Sequence, residues 1–340
     1  MKAVAFTAPK IAEVVSIPEP RIVNRFDVKI RVRYVSICAD DLEGFVNGEG
    51  ANAAGHEFSG AAGHEFSGII TELGPGAEEA GYEIGDRVTG YVWRFCGRCP
   101  YCRRGQENLC LNMTAQRAMQ EYIVLDSNQI CKIPEAVPIQ LASVSEVVAS
   151  CIHAVERAQI HVGDSVLLLG GGGAGMIMLQ LVRMCGAASI TVSEPIASKR
   201  QLCKRLGADY VIDPYSENLV ARGMEITDGL GYQCVLDVSK NEAALPEGMS
   251  LLARGGTFLL FSLHQKKSSI RVDLPTLYSK EITLLTSFMA PYLLDRAMEI
   301  LPRLDLAALS SEPFPLDRVQ EAYETAYSGT LPRVFVEVTK

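Results

Sequence analysis

Four apolar residues, Val166 to Leu169, run directly into Gly170-Gly171-Gly172-Gly173-Ala174-Gly175, and an apolar helical pattern starts at Met176. Few folds accommodate a buried strand, a turn made almost wholly of glycine and a helix in immediate succession. In a G-x-G-x-x-G of this kind Gly170 makes the turn, Gly172 lets the backbone approach a pyrophosphate, and Gly175 lets the helix pack on the strand. Free N–H groups at the helix start would hold the diphosphate. The glycines alone would also fit a flexible loop; the strand before and the helix after make them a dinucleotide-binding fingerprint. Glu194 ends the next strand, 19 residues beyond Gly175. A carboxylate there accepts hydrogen bonds from a ribose diol and repels a 2′-phosphate, which favours NAD over NADP. Lys199 and Arg200 follow closely and temper that preference.

The surrounding pattern extends this unit in both directions. Beyond about Ser143 helical stretches (142–159, 199–206) alternate with buried strands (189–192, 210–212, 234–237, 257–261), as in a parallel, doubly wound sheet. Before about Leu141 the runs are short, strand-like and broken by Gly and Pro, as in Val28–Val35 and Ile69–Leu73. After about Phe288 two helical stretches (292–303, 319–327) precede a closing strand, Arg333–Val338, and this tail is expected to return to the first domain. A chain of 340 residues exceeds the usual size of one core. The expected division is therefore a β-rich domain over 1–148 and 289–340 and a dinucleotide-binding domain over 149–288.

A net charge of −8, from 32 basic and 40 acidic residues, argues against nucleic acid or an anionic membrane as partner. The N-terminal run meets Pro9 and Lys10 too early for a signal or spanning segment, so a cytoplasmic protein is expected. In that setting the crowding of Cys96, Cys99, Cys102 and Cys110 reads as metal binding. Their C-x2-C-x2-C-x7-C spacing, with Gly97 and Gly105 allowing tight turns, lets four thiolates close a tetrahedral shell around zinc with no open position. That is a structural site, with iron–sulfur ligation the remaining rival. Cys38, a doubled Gly-His-Glu and Glu146 could supply an open zinc site, although spacing alone does not assemble them. The doubling is a local one: Ala53 to Gly60 recurs unchanged as residues 61–68.

Taken together, Cys38-x-x-Asp41, Gly63-His64-Glu65-Phe66-Ser67-Gly68, Gly85-Asp86-Arg87-Val88, the cysteine lobe over 93–112, Gly163-Asp164 with the glycine fingerprint, and Gly255-Gly256 carry a resemblance over essentially the whole chain. The sequence resembles the zinc-containing medium-chain dehydrogenase/reductase family, nearest its polyol (sorbitol) dehydrogenase branch. The resemblance implies an α/β protein in which a Rossmann-type domain joins a GroES-like catalytic domain. It implies Cys38, His64 and Glu146 as ligands of a catalytic zinc, Glu65 beside or on the metal, Asp41 behind it, and Arg333 near the cofactor diphosphate. For Glu146 a carboxylate that merely stabilises a helix start is the alternative. Trp93 and Arg94 fall where the family lines its substrate pocket.

His64 is favoured over His56 because the residues after it, Glu65 to Leu73, form an apolar strand that ends at Gly74, whereas those after His56 do not. His56 and Glu57 would then lie in an eight-residue insertion. Where the family usually carries a hydroxyl and a His or Glu after the zinc cysteine, this chain has Asp40 and Glu43, which either form a different proton relay or face solvent. The expected protein is a homodimer or homotetramer holding two zinc ions per chain and NAD, oxidising a secondary alcohol of a polyol, sugar or diol. A threonine or butanediol dehydrogenase, or a dinucleotide-binding sensor without catalysis, would share these motifs.

Overall fold

The computed structural model describes residues 1–48, 62–265 and 268–340, so His56 and Glu57 lie outside the described residues. Two compact units emerge, Met1–Ala149 with Pro291–Lys340, and Ser150–Ala290.

In the first unit, β1 (Lys2–Ala8) and β2 (Ile11–Ser16) form an antiparallel pair. Next come β3 (Asp27–Ile37), α1 (Ala39–Asn47), β4 (Glu65–Leu73), the short α2 (Pro75–Glu79) and β5 (Arg87–Gly90). β6 (Trp93–Arg94) and β7 (Thr114–Ala115) pair on either side of the cysteine lobe. β8 (Tyr122–Asp126), β9 (Ile130–Lys132) and α3 (Ile139–Ala142) follow, and α4 (Ser145–Ala158) begins in this unit and runs on past Ala149 into the second. The helix expected over 142–159 is α4, which starts at Ser145, and the short α3 precedes it with Ser143 and Val144 between them.

The spine of this unit is β3, whose eleven residues carry a mostly buried run of Val and Ile. One edge pairs with β4 from Val28 to Ser36. The other edge is shared, because β8 takes only Asp27 to Arg31 and leaves Tyr34 to Ile37 for another partner.

The second unit alternates strand and helix: β10 (Ser165–Leu169), α5 (Gly173–Met184), β11 (Ser189–Ser193), α6 (Ala197–Arg205), β12 (Tyr210–Ile212), α7 (Leu219–Ile226), β13 (Tyr232–Asp237), α8 (Ala244–Ser250), β14 (Leu252–Leu260), α9 (Leu274–Lys280) and β15 (Thr283–Thr286). All neighbours pair in parallel in the order β12-β11-β10-β13-β14-β15. Helices on both faces bury the sheet, which is why β10 reads as an unbroken apolar run. Leu167, Leu169, Val235 and Phe258 of this sheet pack with Leu219, Leu245 and Leu251 into one core. The strand order reverses between β10 and β13, the switch point where such sheets open a crevice at their carboxyl ends.

The tail returns to the first unit. It contains α10 (Leu294–Ile300), β16 (Phe314–Pro315), α11 (Val319–Ser328) and β17 (Val334–Glu337), and β17 pairs with the free stretch of β3, Val334 opposite Ile37. The helix expected over 292–303 is shorter because Pro302, lacking an N–H, converts its last turn to a 3-10 turn at Leu301–Arg303. Among the described residues no helix is long and apolar enough to cross a membrane.

Candidate metal centre and dinucleotide crevice

The pairing of β3 with β4 sets Ser36 opposite Glu65. Cys38 lies two residues past Ser36 and His64 one residue before Glu65, so the register alone brings the thiol and the imidazole together at one end of the sheet. Cys38 Sγ stands 3.2 Å from His64 Nε2. Single donor atoms of Cys38, His64 and Glu65 all fall within 4.8 Å of one another. Gly63 makes the approach possible: its φ is +80°, and a Cβ there would lie 2.8 Å from Val35 Cγ1.

Asp41 ties this corner together. Its Oδ1 lies 3.4 Å from His64 Nδ1 and accepts from the Gly63 amide, while Oδ2 accepts from the Cys38 amide at 3.1 Å. Cys38 caps the start of α1, its sulfur accepting from the Asp40 amide at 3.2 Å. A helix start favours thiolate. Burial nevertheless dominates in the metal-free site and pushes the Cys38 thiol up to about 12. Burial would also raise Asp41, but the neighbouring His64 and Arg117 cations outweigh it and hold the carboxyl down to about 2. In return the Cys38 sulfur and Asp41 keep His64 well above the ordinary imidazole range, against the effect of its burial.

Glu65 is 1% exposed and already engaged. Arg333 Nη1 reaches its two oxygens at 3.0 and 2.9 Å, and the Ser36 hydroxyl donates to Oε2. Arg333 immediately precedes β17, which flanks β3 on the edge opposite β4, so both ends of this ion pair hang from one spine. Where the resemblance sets Arg333 beside a diphosphate, the structure shows it bound to Glu65 and to the Ile37 carbonyl oxygen. Glu146, in the first turn of α4, is buried but is not among the three residues whose donor atoms converge. Its carboxylate is one of the charges that, after burial, hold the Tyr91 hydroxyl well above its ordinary value. Trp93 is buried against His64, while Arg94 is exposed and 4.0 Å from Asp126. Asp40 and Glu43 are both half-buried on α1.

One ligand atom from each of Cys96, Cys99, Cys102 and Cys110 likewise lies within a 4.8 Å group. Backbone amides of Arg98 and Cys99 bring the Cys96 thiol down to about 6. The Asn112 amide and the Cys96 amide both donate to the Cys110 sulfur. A cage of sulfurs fed by N–H donors suits thiolates on a zinc ion, and the S, N and O donors at the first cluster suit the same metal.

At the carboxyl end of β10, Gly170 adopts φ +112°, and a Cβ on Gly175 would lie 2.3 Å from the Gly170 carbonyl oxygen. Gly172 caps the start of α5, with nothing within 4 Å of where its Cβ would stand. Glu194 is buried beside this loop, Oε2 accepting from the Gly171 amide at 2.8 Å and Oε1 from the Ile196 amide at 2.9 Å. Arg200, behind it, is spent on the carbonyl oxygens of Glu194 and Pro195 and on Asp213 at 2.9 Å. Lys199 is buried, and that burial lowers its ammonium below the ordinary lysine range.

Two family models match the chain, the alcohol dehydrogenase GroES-like domain over residues 24–135 and the zinc-binding dehydrogenase domain over 173–303. L-threonine 3-dehydrogenase of Pyrococcus horikoshii is 30% identical over 98% of this chain and 97% of its own. The chain belongs to the zinc-containing medium-chain dehydrogenase family. D-arabitol-phosphate dehydrogenase of Enterococcus avium is 29% identical over 99% of the chain and 97% of its own length. Among solved structures of this family, the alcohol dehydrogenase of Thermus sp. ATN1 superposes with a TM-score of 0.90 at 25% identity, covering all of both chains. A zinc-binding dehydrogenase of Sinorhizobium meliloti, solved with NADP, gives 0.85 at 26% identity over 99% of this chain and 98% of that one.

Sequence reading did not single out Ser36 or Arg117. Ser36 faces Glu65 only through strand register, and the influence of Arg117 on Asp41 depends on where the chain runs after the cysteine lobe. Neither position carries a local signal.

Proposed function

We propose that this dehydrogenase oxidises a secondary hydroxyl of a small polyol, sugar or diol with NAD as hydride acceptor, and that it carries one catalytic and one structural zinc per chain. The observation that carries the reading is the convergence of Cys38, His64 and Glu65 within 4.8 Å, behind which Asp41 braces the imidazole. Cys38, His64 and Glu146 would hold the catalytic metal, with Glu65 beside it; Cys96, Cys99, Cys102 and Cys110 would hold the other. A zinc with three protein ligands supplies Lewis-acid polarisation that lowers the pKa of an alcohol.

The chain's own residues do the rest. Asp41 fixes the imidazole so that Nε2 faces the Cys38 sulfur. Arg333 and Ser36 hold Glu65 in place at the edge of the cluster. The turn at Gly170, the open backbone at Gly172 and the close packing at Gly175 would receive the dinucleotide's diphosphate, and Glu194 its adenosine ribose. NAD is favoured by the Glu194 carboxylate itself and by the engagement of Arg200, the cation behind it, with Asp213 and two carbonyl oxygens. A 2′-phosphate would meet the Glu194 carboxylate.

A cytoplasmic assembly of two or four copies belongs to the same reading. It is supported by the exposed apolar side chains of Leu284 on the edge strand β15 and of Leu274 and Tyr278 on α9. The deciding experiment is a screen of NAD and NADP reduction across polyols, polyol phosphates, sugars, diols and L-threonine. Turnover with L-threonine alone would replace the polyol reading with an amino-alcohol one. Absence of turnover with every member would leave a dinucleotide-binding protein without this chemistry.

A further inference from the structure

The fourth cysteine of the lobe follows a 3-10 turn, Glu107–Leu109, and the Glu107 carbonyl oxygen accepts from the Cys110 amide at 2.9 Å. The Glu107 side chain is half-buried, and its Oε1 accepts from the Tyr292 amide at 3.0 Å, 185 residues along the chain. The Tyr292 side chain hydrogen-bonds the same carboxylate. Tyr292 is the second residue of the tail that returns to the first unit, just ahead of α10. A further tie follows at Asp295, whose Oδ1 accepts from the Cys131 thiol of β9 at 2.9 Å.

The stretch that Glu107 holds is strained. Tyr292 has φ +53° and Met289 φ +56°, so the short run that carries the chain from one unit to the other contains two left-handed residues that are not glycine. In that region the Cβ of an L-residue crowds the backbone, and a bulky side chain stays there only where its surroundings hold it. Released from Glu107, Tyr292 would relieve this crowding by leaving the left-handed region. Glu107 in turn reaches Tyr292 only while its turn keeps its shape. That shape is fixed at its other end by Cys110, one of four sulfurs gathered within 4.8 Å. The sulfur cage and the hold on Tyr292 therefore share one short element, Glu107 to Cys110.

We propose that the cysteine lobe is a metal-dependent latch on the start of the tail: with its four thiolates gathered on zinc, the turn at Glu107 is fixed and holds Tyr292 left-handed, and loss of the metal frees both. The lobe, closed to substrate, thereby sets the conformation of the segment that links the two units. Filling of the cage and the Glu107–Tyr292 contact are joined by one coupling free energy. The metal then favours the contact by the same factor by which the contact favours the metal. This inference rests on the zinc reading of the four cysteines above and adds a conformational consequence to it.

Two measurements on the full-length protein test the coupling. Hydrogen exchange read by mass spectrometry around Tyr292 in the zinc-loaded protein reports the held amide. Glu107→Ala is expected to speed its exchange about tenfold, the loss of a hydrogen bond to a charged group, and Glu107→Gln, which keeps an acceptor oxygen, much less. Cys102→Ser should speed it as Glu107→Ala does, and the double variant no further. In the other direction, Co(II) affinity is measured by competition with a chromophoric chelator in the His64→Asn background, where the lobe alone titrates. Adding Glu107→Ala there should weaken binding about tenfold. The Glu107 variants decide the matter even where Cys102→Ser is too unstable to measure. Exchange that Glu107→Ala leaves unchanged, or a lobe affinity that ignores it, would show that there is no latch. If the His64→Asn protein binds no Co(II), the zinc reading of the lobe fails and the latch with it, and faster exchange in Glu107→Ala would then mark a contact that no metal controls.

Discussion

Trp93 lies against His64, ring centroids 5.2 Å apart and planes inclined by 55°. Trp93 is the only tryptophan in the chain and is 8% exposed, so its emission comes from one buried indole beside one imidazole. Loading the metal-free protein with Co(II) should quench that emission as His64 becomes a ligand. His64→Asn should remove the corresponding phase of the titration while leaving any phase from the cysteine lobe. An unchanged titration in the variant would mean that His64 does not bind the metal.

Metal affinity at this cluster should rise with pH. Burial raises the Cys38 thiol to about 12, and the Cys38 sulfur and Asp41 together raise His64 against its own burial, so the cluster holds protons near neutrality when the metal is absent. A zinc ligand must give up its proton, and binding therefore releases protons. Apparent affinity should climb about tenfold per pH unit for each proton displaced. Competition with a chromophoric chelator between pH 6 and 8 measures the slope, and a flat profile would contradict the assignment of Cys38 and His64.

Glu65 and Arg333 form a buried ion pair, with side chains 1% and 6% exposed. Arg333→Leu would leave the carboxylate without its cation, a change that costs on the order of 3–5 kcal/mol in comparable sites. The double variant Glu65→Gln, Arg333→Leu should recover much of that loss. Chemical denaturation of the wild type, the two single variants and the double variant tests the coupling; additive effects would show that the pair does not act as a unit.

Cys102→Ser should lower the melting temperature of the zinc-loaded protein and release about one zinc per chain, since a closed four-sulfur shell loses a ligand. The readouts are calorimetry and metal analysis. A variant that melts and assembles as wild type but loses turnover would place the cysteine lobe in catalysis instead.

How much of this was legible depends on whether a feature is local. The cysteine spacing and the glycine fingerprint are confined to short stretches, and the structure gathers the four sulfurs and shapes the turn at Gly170 within those same stretches. The sheet class was legible for a related reason: strands buried on both faces, such as β10, are apolar at every position. The Cys38–His64 approach spans 26 residues and could be read only through the family resemblance, because it follows from the register of β3 on β4. The Glu65–Arg333 pair spans 268 residues and three neighbouring strands, and no local pattern encodes it. Glu107 left one trace, an acidic residue between the third and fourth cysteines of the lobe, but its partner Tyr292 lies 185 residues further on.

The way β3 divides its second edge between β8 and β17 has a bearing on how the chain acquires its structure during synthesis. The dinucleotide-binding unit is one continuous stretch, Ser150–Ala290, and can close its sheet as soon as β15 has left the ribosome. The other unit cannot, because Tyr34 to Ile37 wait for a strand made some 300 residues later. Until then the segment that carries Cys38 presents an unpaired edge with Val and Ile behind it. A nascent chain of this protein is therefore most open to mispairing along β3, the strand that leads to Cys38, and not along its last strands.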